Sequence, residues 1–216
     1  AYLFGLYIAE GNIVDKHGVQ RLDITIGDDI APLFDKFGWS YYKKDNCHYQ
    51  VVSRPLIDLF KYVGFNTSLH AKYKEIPPRL MRMSKECTAA MIQGMMDGDG
   101  CATTSRKRIL YTSTSHKLIK QLRMLLLNFG ILSNLYERDT KPSKRVKVCS
   151  HTWSLEIAQS GMVDKYFGEI GFRLTRKTQH QKTQVTHSDK AGHYDVIPFS
   201  APVIRRLKKT KILTND

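Results

Sequence analysis

Leu3-Phe4-Gly5-Leu6-Tyr7-Ile8-Ala9-Glu10-Gly11 returns later in the chain as Ile92-Gln93-Gly94-Met95-Met96-Asp97-Gly98-Asp99-Gly100. Each stretch reads as an apolar helix with small residues four apart, Gly5 and Ala9 in one, Gly94 and Gly98 in the other. An acid and then a glycine follow them. Small residues at that spacing leave a bare stripe on one helix face and let two backbones approach closely. Packed along these stripes, the two helices would bring Glu10 and Asp99 side by side at one end of the pair. The pattern therefore predicts a site shared between two halves of one molecule.

Such a site is electrostatically unfavourable without help. The C-terminal end of a helix carries partial negative charge, so cations are preferred there and acids are not. Two helix ends and two carboxylates concentrate negative charge that nothing nearby in the sequence offsets. A hard divalent cation such as Mg²⁺ resolves the conflict, since it binds through one or two carboxylates plus water and phosphate oxygens. Carboxylates that hold a metal beside a phosphodiester suggest metal-assisted hydrolysis. Either stretch alone reads as an ordinary buried helix with a solvated terminal acid. Two copies in matching register favour the paired site.

Composition agrees with a duplicated protein. A chain of 216 residues with 42% hydrophobic content holds two cores of about 100 residues each. No apolar run approaches the length that spans a membrane. Residues 1–11 lack the basic leader of a signal peptide, and a chain that begins at Ala1 rather than Met reads as a piece of something longer. Cys47, Cys87, Cys101 and Cys149 show no Cys-x-x-Cys pairing and no histidine partnership, which suits reduced thiols in an intracellular protein. The net charge of +14, from 34 Lys and Arg, favours a polyanionic partner bound in a salt-dependent way. Membrane-surface and ribosomal proteins share that balance, so charge alone does not discriminate.

The repeat runs beyond the motifs. After Glu10 a short turn leads to Val19–Ile26, where Leu22, Ile24 and Ile26 alternate with Arg21, Asp23 and Thr25 as on a half-buried strand. An amphipathic stretch over Asp28–Gly38 follows, then a hairpin over Ser40–Ser53 turning near Lys44-Asp45-Asn46. A helix with Pro55 in its first turn closes at Val63-Gly64-Phe65. The second half repeats the order. It has a strand pair over Cys101–Thr114 around Arg106-Lys107-Arg108, and a helix from Ser115 to Phe129-Gly130. Strands near Ser133–Arg138 and Val146–Ala158 then flank the loop Asp139–Arg145, and a helix over Met162–Ile170 ends at Gly171-Phe172. The expected class is α+β, two pseudo-symmetric αββαββα repeats packed through their motif helices. The expected divisions are a first repeat (1–66), a connector (67–84), a second repeat (85–177) and an extension (178–216).

Each repeat would present an antiparallel sheet with one polar face, and two such sheets about a pseudo-twofold axis form a saddle that matches duplex DNA. A two-stranded ribbon fits the major groove, where base edges carry a distinct code. Candidate contacts are Arg21, Lys43, Lys44, Arg106, Lys107, Arg108, Arg138 and Lys147, of which those at hairpin tips reach phosphates and position the protein without reading sequence. Each is otherwise a residue of a solvated charged face. The strand residues differ greatly between copies, so the target would be asymmetric.

With both motifs as quoted, the chain resembles a single-chain, two-motif LAGLIDADG homing endonuclease over about residues 2–177. It departs from the family pattern at Ile8, where an acid is common, and carries Glu10 in place of Asp. The resemblance implies a DNA endonuclease that makes a staggered double-strand break in a long target, with Mg²⁺ held by Glu10 and Asp99 and Asp97 left structural or peripheral. It also implies a lysine near the acids in each half. Lys74, just before Glu75-Ile76-Pro77, and Lys177, beyond the last helix of the second half, occupy comparable places; Lys72 and Arg176 compete with them. These lysines would stabilise developing phosphorane charge or polarise the attacking water. Tyr194-Asp195-Val196-Ile197-Pro198 resembles the segment that follows the endonuclease region of an intein, yet no splicing nucleophile stands at the start and no His-Asn at the end. Residues 178–193 read as a polar loop. The implied protein is a monomer acting on double-stranded DNA, located with host DNA in the cytoplasm or nucleoid. A group I intron maturase or a non-cleaving DNA-binding protein could use the same scaffold.

Overall fold

The first motif helix ends where its sequence says it should, but no turn follows. Gly11 leaves α1 (Tyr2–Glu10) with φ −91° and ψ 151°, so the chain passes straight into a strand, β1 (Gly11–Lys16). The expected short turn is thus a strand, and its glycine serves as the junction between helix and sheet. The computed structural model describes residues 1–16, 19–27, 30–66, 70–103, 107–140 and 150–182.

From β1 the first half continues through β2 (Val19–Thr25), α2 (Ala31–Lys36), β3 (Tyr41–Lys43), β4 (His48–Val51) and α3 (Arg54–Val63). Short 3-10 turns at Ala71–Tyr73 and Leu80–Arg82 lead to α4 (Lys85–Gly98), which carries the second motif. The second half comprises β5 (Gly100–Thr103), β6 (Arg108–Ser113), α5 (His116–Asn128), β7 (Asn134–Thr140), β8 (Ser150–Ile157) and α6 (Ser160–Glu169). The α+β class and the αββαββα order hold in both halves. Each sheet is antiparallel with four strands, ordered β1-β2-β4-β3 and β5-β6-β8-β7. The same topology appears twice.

Local chemistry explains the boundaries. Ser53, Ser84 and Ser115 each accept a hydrogen bond from the backbone N–H three residues on, capping α3, α4 and α5. Pro55 sits in the first turn of α3, and Gly64 ends that helix in the left-handed region at φ +106°. The amphipathic stretch expected over Asp28–Gly38 is helical only over Ala31–Lys36 among its described residues. β7 runs through Thr140, so Asp139 and Thr140 belong to a strand rather than the expected loop. Beyond α6, residues 175–182 form a helix, α7, where a polar loop was expected from residue 178. The remainder of the extension, with Tyr194–Pro198, lies outside the described residues.

Motif helices α1 and α4 form the centre of the molecule. Leu3, Leu6, Tyr7 and Ile8 of one and Met91, Ile92, Met95 and Met96 of the other are all buried, as expected for helices apolar around much of their circumference. A Cβ on Gly5 would collide with the Met91 carbonyl oxygen, and one on Gly94 with the Tyr2 carbonyl oxygen. These two contacts are the same contact seen from either side of a pseudo-twofold axis. Further along, a Cβ on Gly98 would collide with that of Ala9, so this pair lies on the axis itself. The sheets turn their apolar faces to the helices, β2 lying against α1 and α3, and β6 and β8 against α5. Leu22, Ile24, Tyr49 and Val51 from one sheet and Ile109, Tyr111, Leu155 and Ile157 from the other join one core.

Candidate active site between the motif helices

The close approach of α1 and α4 decides where their terminal acids go. Glu10 is the last residue of α1 and Asp99 caps α4, so both carboxyls emerge together where the helices end. Glu10 is half-buried, and Asp99 reaches solvent while protein covers its inner side. Burial raises both carboxyl pKa values above their ordinary range. For Glu10 the neighbouring Asp99 charge pushes further in the same direction, and Lys74 and Lys177 pull both groups back. The acids form one coupled pair.

Two lysines offset the negative helix ends. Lys74 Nζ donates to the carbonyl oxygens of Ala9 at 3.0 Å and Gly11 at 3.2 Å. Lys177 Nζ donates to those of Gly98 at 3.1 Å and Gly100 at 2.7 Å, and also to Met96 at 2.9 Å. Each lysine thus occupies the same two carbonyls of its own motif, one on either side of the acid. The offset that the local sequence lacked comes from residues far along the chain. Their own pKa values fall because burial disfavours the ammonium, and Lys177 drops to about 8. Among the competing residues, Lys72 instead lies over the Tyr73 ring at 4.7 Å, and Arg176 is exposed beside Lys177.

Both lysines are held by their backbones. Ser115 Oγ donates to the Lys74 carbonyl at 2.6 Å, and the Gln121 amide makes paired hydrogen bonds with Ile76 at 2.8 and 2.9 Å. Lys177 lies in the first turn of α7, and just before it the N–H groups of Arg173 and Leu174 donate to the Asp97 carboxylate.

Sequence reasoning left Tyr111 out of the site. It pairs with Gly100 in the second sheet, where Ile24 pairs with Gly11 in the first. Its hydroxyl donates to Asp99 Oδ2 at 3.4 Å, while Ile24 offers Glu10 nothing comparable. Burial and the Asp99 charge raise the Tyr111 pKa far above the ordinary value, so it is a neutral donor at physiological pH. Only the sheet register, absent from a linear reading, reveals it.

Several of the candidate nucleic-acid residues lie on or beside the strands, Arg138 on the polar face of its sheet and Lys43 on the face it shares with Tyr49. Arg138 on β7 and Lys43 on β3 are exposed, as is Lys44 in the turn beyond β3. Arg21 on β2 bonds Asp23 at 3.0 Å, and Lys107 lies in the left-handed region at φ 43° before β6. Arg108 pairs with the buried Glu156 carboxylate across β6 and β8, a structural partnership that a charge-based reading overlooks. Arg106 and Lys147 lie outside the described residues. Because β1 went unread, Asn12 beside Asp23, and Gln50 beyond it on β4, were missed as polar face residues. Cys47, expected to lack a histidine partner, lies with His48 around Asp45 in the β3–β4 turn, His48 Nδ1 being 2.7 Å from the carboxylate and 3.5 Å from the thiol.

Comparison with known proteins follows the same lines. Residues 86–171 match the family model described as a LAGLIDADG-like domain. The chain is 28% identical over 204 residues to the DNA-directed RNA polymerase subunit Rpo1C of Methanocaldococcus jannaschii, a match covering 91% of this chain and 22% of that protein. It is 30% identical over 157 residues to the probable translation initiation factor IF-2 of the same organism, covering 72% of this chain and 12% of that one. The chain therefore spans less than a quarter of either relative. Among solved structures, I-DmoI in complex with DNA and Mn superposes with a TM-score of 0.54 at 17% identity, covering 79% of this chain and 94% of that one.

Proposed function

Because the chain carries a LAGLIDADG-like domain within the fold of a single-chain homing endonuclease, we propose that it is a sequence-specific DNA endonuclease making a staggered double-strand break in a long asymmetric target. The observation that carries this reading is the pairing of Glu10 with Asp99 at the ends of two packed helices, each with a lysine on the flanking carbonyls.

The donors at this point fit a hard divalent cation. Two carboxylates of raised pKa, already repelling one another, offer oxygen atoms and no sulfur or imidazole, the donor set that suits Mg²⁺. Glu10 and Asp99 would hold it, and it would supply charge neutralisation at the phosphate and a more acidic water. The protein's own groups do the rest. Tyr111 orients Asp99. Lys74 and Lys177 place positive charge beside the position where the phosphate develops extra negative charge, in a setting where part of the solvent is excluded. Each lysine donates to the carbonyls that flank an acid, so it would act there as an electrostatic stabiliser.

The two sheets, with exposed Lys43, Lys44 and Arg138, would bind double-stranded DNA with a single chain sufficing, since both acids belong to it. No helix among the described residues is long and apolar enough to cross a membrane, and the place of action is with host DNA inside the cell. One segment matches proteins named for unrelated tasks, a polymerase subunit and a translation factor. That distribution supports an inserted element such as the endonuclease region of an intein. Retention of both acids and both lysines argues against a maturase or a non-cleaving binder.

Selection for cleavage on a randomised duplex library, first with Mg²⁺ and then with Ca²⁺, tests the proposal. Enrichment of one long asymmetric cut site supports it; tight binding without cleavage under either cation, or no duplex binding at all, contradicts it.

A further inference from the structure

We infer that Asp97 is a positioning residue for Lys177, acting through the backbone at the start of α7, and that only the second half of the site has this device. The inference rests on the endonuclease reading for its catalytic consequence but not for its structural one.

Asp97 lies in the middle of the second motif and is fully buried. A buried acid is costly unless its hydrogen bonds are satisfied, and this one has partners from three directions. Tyr2 Oη donates to Oδ2 at 2.7 Å from α1. The Arg173 N–H donates to the same oxygen at 3.0 Å, and the Leu174 N–H to Oδ1 at 3.4 Å. Leu174 O in turn accepts from the N–H of Lys177 at 2.8 Å and of Thr178 at 3.0 Å, forming the first turn of α7. One carboxylate thus ties both motif helices to the residue at which α7 begins. Lys177 Nζ, one turn later, reaches the carbonyls on either side of Asp99.

The first half solves the same problem differently. Ile8 stands where Asp97 stands, and it is buried and apolar. A cavity of about 290 Å³, lined by Tyr7, Ile8, Phe65, His70 and Lys74 among others, occupies the corresponding place beside the connector. Lys74 is held instead from α5, by Ser115 and Gln121. The two lysines therefore depend on separate supports, and loss of Asp97 should disturb one of them alone.

The test compares Asp97→Leu, which copies the apolar character of Ile8, with Asp97→Asn, which keeps an acceptor in place. Hydrogen exchange is measured over 173–178 in the full chain, and single-turnover cleavage is followed separately on each labelled strand. In Asp97→Leu we expect protection of the Arg173, Leu174, Lys177 and Thr178 amides to fall while that of α1 and α4 is unchanged. Cleavage of one strand should slow by roughly 10- to 100-fold, the range seen when a partner that orients a functional group is removed. The other strand should be nearly unaffected. Lys177→Met should slow the same strand, and adding Asp97→Leu to it should cost little more, as for residues acting through one another. Asp97→Asn should retain most of both signals. Equal slowing of both strands, additive effects of the two substitutions, or unchanged protection over 173–178 would overturn the inference. If the wild-type chain cleaves neither strand, the endonuclease reading fails, and the exchange measurement still decides whether Asp97 holds α7.

Discussion

Lys74 and Lys177 make equivalent contacts in the two halves: one bonds the carbonyls of Ala9 and Gly11, the other those of Gly98 and Gly100. Neither lysine belongs to a motif, and each arrives from beyond the last helix of its own repeat. A basic group at the negative end of each motif helix relieves the electrostatic conflict that the paired acids create. Both carboxyl pKa values nonetheless remain raised, first of all by burial.

Those raised values have a measurable consequence. A carboxyl whose folded pKa lies above its unfolded value binds protons more tightly when folded. Stability from Glu10 and Asp99 therefore falls as pH rises from the ordinary carboxylate range through their raised values. Without divalent cations, Glu10→Gln and Asp99→Asn should each melt at a higher temperature than the wild type at pH 7. Added Mg²⁺ or Ca²⁺ should raise the wild-type melting temperature, by about 2.7 kcal/mol of stabilisation at a hundredfold excess over Kd, and leave the double variant unmoved. Thermal melts across pH and cation concentration check both expectations.

Helix contact makes a second prediction. At Gly94 any side chain meets the Tyr2 backbone, which has nowhere to go, whereas at Gly168 on α6 a Cβ meets nothing within 4 Å. Gly94→Ala should cost at least about 1–3 kcal/mol through overpacking. Gly168→Ala should be stabilising by about 0.5–1 kcal/mol because alanine loses less entropy in a helix. Chemical denaturation of the pair measures the contrast.

Arg108 and Arg138 should separate in the same way. Arg108→Ala leaves the Glu156 carboxylate buried without its partner and should cost about 1–3 kcal/mol of stability. Arg138 is exposed on β7, so Arg138→Ala should leave the melting temperature nearly unchanged. Its effect should appear in DNA titrations, as weaker binding and a salt dependence shallower by about one counterion.

Much of this molecule was legible in its sequence, and the failures have physical causes. The spacing of Gly5 and Ala9 and of Gly94 and Gly98 pointed to close helix packing because only a backbone-to-backbone contact needs such residues. Alternation at Leu22, Ile24 and Ile26 marked β2. Strand β1 was missed because Gly11-Asn12 reads as a turn, while here the glycine is extended and the helix flows directly into the sheet. α7 was missed because Thr175–Lys182 is almost wholly polar, and it is the Asp97 tether rather than an apolar stripe that anchors its start. Tyr111 escaped, and Asp97 was read as structural or peripheral without its partners, for a shared reason. Their roles rest on partners supplied by the sheet register and by contacts 95 residues apart in the chain, as between Tyr2 and Asp97.

The most direct test of the account is single-turnover cleavage of the selected duplex by the wild type, Glu10→Gln and Asp99→Asn in Mg²⁺, with DNA affinity measured in Ca²⁺. The account predicts that each substitution lowers the cleavage rate by at least about 100-fold while affinity stays within a few-fold of the wild type. Undiminished cleavage by both variants would contradict it.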